Sequence, residues 1–66
     1  MSAPLSEAIA AAAARLVVEE GMEYGPAKRK AARQLGASES EALPANDEVE
    51  AELRAYRALY QGDEHP

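Results

Sequence analysis

PLSEAIAAAAARLVVEEGMEYGPAKRKAARQLG, residues 4–36, reads as two helices joined by a tight connection, and that pairing decides the fold. Pro4 suits a first helical turn, because the N–H that proline lacks would have no helical acceptor there. The alanines that follow favour helix because they surrender almost no side-chain entropy. Leu5, Ile9, Ala12, Ala13 and Leu16 fall at i, i+4, i+7, i+8 and i+11, the spacing of one buried face, and Val17 widens it. A first helix is therefore predicted over about 4–20, with Gly21 as its stop. Met22 and Tyr24 are expected to tuck against the core. Gly25-Pro26 reads as the cap and first residue of a second helix over about 26–35, which ends at Gly36. Its apolar face is narrow (Ala27, Ala31 and Leu35), and the two alanines let another helix approach closely.

Outward from this pair, residues 37–46 read as a linker containing Ser, Glu and Pro. Leu43 precedes Pro44 and is expected to be extended, with its side chain pinning the linker to the core. Asp47 and Glu50 have capping-box spacing, and Asp47 and Glu48 place negative charge at the positive end of a third helix over about 47–61. Val49, Leu53, Tyr56 and Tyr60 form its apolar stripe, flanked by Leu59. Gly62 is the expected stop and 62–66 a polar tail. No alternating strand pattern, internal repeat or extended heptad run is present. The expectation is one all-α domain over 1–66, a small three-helix bundle whose first two helices are helix-turn-helix-like.

Hydrophobic residues make up 47% of the chain, but many are alanine, and Phe, Trp and Cys are absent. A core this thin rarely supplies more than about 3–5 kcal/mol, so the fold is expected to be marginal, or to be stabilised by a partner or a second copy. The lack of cysteine excludes a disulfide framework and a thiolate zinc site. The N-terminus has neither the positive segment nor the strong apolar run of a signal peptide, and no stretch approaches the ~20 apolar residues of a membrane span. A cytoplasmic protein is expected.

The net charge of −5 repels phosphate backbones on average, so nucleic-acid binding needs a local basic patch. Lys28, Arg29, Lys30 and Arg33 supply one candidate. At ~100° per residue, Arg29, Lys30 and Arg33 share the face opposite Ala27 and Ala31, with Lys28 at its border. This face would contact phosphates or an acidic partner, or else it is a solvated face that balances the surrounding carboxylates. Glu19, Glu20 and Glu23, and later Glu39, Glu41, Asp47, Glu48, Glu50 and Glu52, lack the alternate-position spacing and central glycine of a calcium loop. They read as solvating and helix-end charges, and no metal or cofactor is expected. His65, the single histidine, stands next to the last residue. Ser2, Ser6, Ser38 and Ser40 have no base near them in the pattern, and the scattered glycines form no phosphate loop. Tyr56 and Tyr60 read as core rather than as a stacking platform for bases. No catalytic residue is assigned, the chain is read as not an enzyme, and no small-molecule substrate is expected.

Two resemblances accompany these readings. Ala11-Ala12-Ala13-Ala14-Arg15-Leu16, Glu20-Gly21, Ala31-Ala32 and Leu35-Gly36-Ala37-Ser38 resemble the opening of TetR-type repressor domains over about 11–38. Where that family's recognition helix would begin, this chain has Glu39-Ser40-Glu41-Ala42-Leu43-Pro44, which is acidic and interrupted by proline. The resemblance thus implies shared helix–turn–helix packing, not operator reading. Over nearly the whole chain, Ala13-Ala14-Arg15-Leu16, Glu19-Glu20-Gly21, Tyr24 with Ala27-Lys28-Arg29-Lys30-Ala31-Ala32, Leu35-Gly36, Leu43-Pro44 with Asn46, Glu48-Val49-Glu50 and Tyr60-Gln61-Gly62 are similar to an uncharacterised proteobacterial family. Its longer members carry such a helical block ahead of a nucleotidyltransferase-like domain, and no residue here inherits that domain's chemistry. The resemblance implies a bacterial helical accessory module. The expected function is a non-catalytic module for protein interaction or self-association, and the alternative is a nucleic-acid-binding module using Lys28, Arg29, Lys30 and Arg33.

Overall fold

The computed structural model describes residues 4–37 and 43–61, with side chains described as far as Leu59. The polar tail, Gly62, the Tyr60 side chain and the centre of the linker lie outside the described residues. Three helices follow one another: α1 (Pro4–Glu20), α2 (Tyr24–Gln34) and α3 (Asn46–Gln61). No strand occurs among the described residues. The chain is an all-α domain of three helices packed together, in which α1 packs against both of the others and α2 and α3 barely meet.

Each boundary has a local cause. The Gly21 N–H donates to the Val17 carbonyl (3.1 Å), and Gly21 takes φ = +69°, a left-handed turn that glycine adopts without steric cost. The α2 end is a Schellman turn. The Gly36 N–H donates to the Arg33 carbonyl (3.1 Å), the Ala37 N–H to the Ala32 carbonyl (2.9 Å), and Gly36 has φ = +77°.

The helix α2 begins at Tyr24, two residues ahead of the predicted start at Pro26. Glu23 is its N-cap in extended conformation, and the Ala27 N–H makes the first helical bond, to the Glu23 carbonyl (3.0 Å). Pro26 thus occupies the third helical position, where its missing N–H still has no intrahelical acceptor to lose.

The cap of α3 also differs from the expected Asp47–Glu50 pair. The Ala45 carbonyl accepts from the N–H groups of Glu48 (3.0 Å) and Val49 (3.2 Å), and Glu48 Oε1 accepts in return from the Ala45 N–H (3.2 Å). This is the glutamate half of a capping box, set at Ala45 and Glu48. Alanine has no side-chain oxygen to supply the other half. Ala45→Ser should complete it and raise stability by about 0.5–1 kcal/mol, read as a higher urea midpoint at unchanged slope. A midpoint at or below that of the parent protein would show that the box is not formed.

The core consists of Ile9, Ala10, Ala13, Ala14 and Leu16 from α1, Ala27, Ala31 and Ala32 from α2, and Val49 and Leu53 from α3. Leu5, Ala12, Val17 and Met22 pack at its margin. Ile9 and Val49 are the largest fully buried side chains among the described residues. Alanines therefore set the spacing, and helix axes approach as closely as the side chains between them allow. Two predicted core positions lie elsewhere. Leu35 is 44% exposed, because α2 ends at its C-cap and the chain turns away at Gly36. Leu43 is 39% exposed and does not anchor the linker. The buried residue there is Pro44, whose carbonyl accepts a hydrogen bond from Lys28 Nζ (2.9 Å).

Candidate functional site

The basic segment of α2 divides in two. Lys28 is half-buried and reaches Pro44 across 16 positions of sequence, so its cation fastens the incoming segment of α3 to α2. Lys30 Nζ lies 3.3 Å from Glu20 Oε1, tying α2 to the end of α1. Its expected place on one outward face with Arg29 and Arg33 is thus modified by a carboxylate that the short connection brings within reach. The pair is substantially exposed and is worth at most about 1 kcal/mol. Arg29 and Arg33 point into solvent, and neither has an ion-pair partner among the described residues.

A second surface lies on the other side of α1. Glu7, Ala10, Glu48, Ala51 and Glu52 line one cleft between α1 and α3, and the Tyr56 hydroxyl donates to Glu19 Oε2 (2.7 Å) farther along. The helix α3 therefore runs beside α1 in the same direction, from the region of Glu7 toward Glu19.

Val49 and Leu53 are buried against α1, but the packing thins beyond them. Tyr56, expected in the core, is half-buried and holds its hydroxyl on a carboxylate. Leu59 is 64% exposed, the most exposed large hydrophobic residue among those described. Ala11, Arg15, Glu52, Ala55, Tyr56 and Leu59 line an open groove of about 210 Å³ along this stretch. Its floor is alanine and tyrosine. Arg15 stands on the α1 wall and Glu52 on the α3 wall, and Arg15 also lies 3.8 Å from Glu19, one turn on.

The sequence pattern contained the signal for this groove, read there only as a flank to the Val49 stripe. At ~100° per residue, Ala51, Ala55, Ala58 and Leu59 form a second apolar arc on α3, and all four are exposed.

Among the described residues no group of three or more His, Asp or Glu side chains is placed to hold a metal, and no helix is long and apolar enough to cross a membrane. Comparison with protein-family models, curated proteins and solved structures finds no match to this chain.

Proposed function

We propose that this domain is a non-catalytic helical docking module whose working surface is the groove between α1 and α3. The observation that carries the reading is Leu59, exposed beside an apolar floor on a domain that has few large apolar side chains to bury. A fully buried leucine contributes about 1.5–3 kcal/mol relative to an exposed one. For a core that rarely supplies more than about 3–5 kcal/mol, covering Leu59 adds a large fraction of the total stability.

The test is a photoreactive side chain introduced at position 59, with position 33 on α2 as control, in the producing cell. Adducts formed at 59 and absent at 33 support docking through the groove. Equal labelling at both positions, or none at 59, overturns it.

A second reading, nucleic-acid contact, is favoured by the guanidinium groups of Arg29 and Arg33, which have no ion-pair partner among the described residues. Its reach is limited by number. Two phosphate contacts give a salt slope of only about −1.4 for single strands, against about −0.7 per contact, and the net charge of −5 opposes approach. Titration of labelled RNA and DNA at low salt, with Arg29→Glu/Arg33→Glu for comparison, decides the matter. Salt-sensitive binding lost in the double variant supports this reading, and equal or absent binding removes it.

A further inference from the structure

We infer that the occupant of the α1/α3 groove is a second copy of this chain, docked about a two-fold axis. The inference rests on the docking reading and names the partner. The groove carries the features of both sides of an interface. Leu59 is the projecting apolar side chain, and the small side chains of Ala11 and Ala55 leave the recess that would receive it. Arg15 on one wall and Glu52 on the other give the groove one charge of each sign. Under a two-fold operator a contact from residue i to residue j is repeated from j to i. A docking that sets Arg15 of one copy against Glu52 of the other therefore sets the reverse pair as well, so the charge contact occurs twice. A partner of uniformly acidic or basic character would satisfy only one wall.

The dimensions agree. A stable interface takes about 600 Å² or more from each copy, about an eighth of the 4546 Å² that this chain exposes. The helices α1 and α3 have 17 and 16 residues. At about 1.5 Å rise per residue and about 10 Å width each, they present a side roughly 25 Å by 20 Å, a flat projection of about 500 Å² that the relief of the side chains brings to the lower end of that range. Along it Ala51, Ala55 and Leu59 are exposed, so close approach meets little steric obstacle.

Sedimentation of the whole chain from micromolar to millimolar concentration tests this inference. The parent protein should move from 7.0 kDa toward twice that mass as concentration rises. Arg15→Glu places two carboxylates at each charge contact, and Glu52→Arg places two cations there. Each variant alone should dimerise at least tenfold more weakly than the parent. Their equimolar mixture should recover the dimer, because only the mixed pair matches opposite charges at both contacts. Recovery in the mixture cannot arise within one chain.

Leu59→Glu, at an exposed position, should keep the helical circular dichroism and abolish the dimer. A parent protein that stays at 7.0 kDa throughout, a dimer indifferent to Leu59→Glu, or a mixture as weak as its components would each overturn the inference. The photoadduct at position 59 separates this failure from that of the docking reading. An adduct with a different protein refutes the second copy and leaves docking standing, whereas no adduct ends both.

Discussion

Ile9→Ala is expected to bring the domain to the edge of unfolding at room temperature. Ile9 is 1% exposed and is one of the two largest side chains fully enclosed among the described residues. Truncating such a residue costs about 2–5 kcal/mol, through lost transfer energy and the cavity left behind. A core this small rarely supplies more than about 3–5 kcal/mol, so one such substitution leaves little net stability. Urea titration followed by circular dichroism at 222 nm reads the effect as a collapse of the midpoint, or as a lost native baseline. Val18→Ala is the control, because Val18 lies on the same helix at 37% exposure. It should change stability by no more than about 0.5 kcal/mol. Equal costs at the two positions would mean that α1 does not present Ile9 inward.

Ala13→Leu is expected to be nearly as damaging for the opposite reason. Ala13 is 0% exposed at the centre of α1, where the core around it is built largely from alanine. Added methylenes have no space to enter, and overpacking costs about 1–3 kcal/mol, occasionally more. Intrinsic helix propensity does not confuse the outcome, since leucine and alanine are both strong helix formers. Ala8→Leu, at an exposed position of the same helix, should leave the unfolding free energy within about 0.5 kcal/mol of the parent protein. If Ala13→Leu were neutral or stabilising, the helices would stand farther apart than the alanine contacts require.

Helix number and order were legible because the signals were redundant. Gly21 and Gly36 fall at the ends of apolar periodicity, and both take positive φ. What escaped was the double burial of α1. The spacing of Leu5, Ile9, Ala13 and Leu16 identifies one face. Ala10 and Ala14, about 100° and 140° around the helix from Ile9, are also buried because α1 is packed on two sides. Alanine carries little hydrophobic weight in a pattern, so a second face made of it leaves little trace.

The α3 cap was misplaced for a related reason. Asp47 is the better capping residue by type, yet the reciprocal hydrogen bond forms from Glu48 to Ala45. On α2, the spacing of Arg29, Lys30 and Arg33 gave one face correctly as angles. It could not show that the connection 21–23 brings Glu20 beside Lys30. The groove was the least visible feature, because Leu59 reads equally well as the flank of a buried stripe. Which α3 residues α1 covers is fixed by helix placement, not by spacing within α3.

In a single chain α1 holds α3 through Val49 and Leu53 while the stretch around Leu59 stays uncovered. Native-state amide hydrogen exchange, recorded at low micromolar concentration, reads this most directly. Amides of α1 around Ala13 and of α2 around Ala31 should exchange only with global unfolding. Those of α3 from Arg57 onward should open locally at lower free energy, as expected for a stretch with few buried apolar contacts. Protection through Leu59 equal to that at Ala13 in the monomer would mean that this end of α3 is already packed, and the groove would have nothing left to bury.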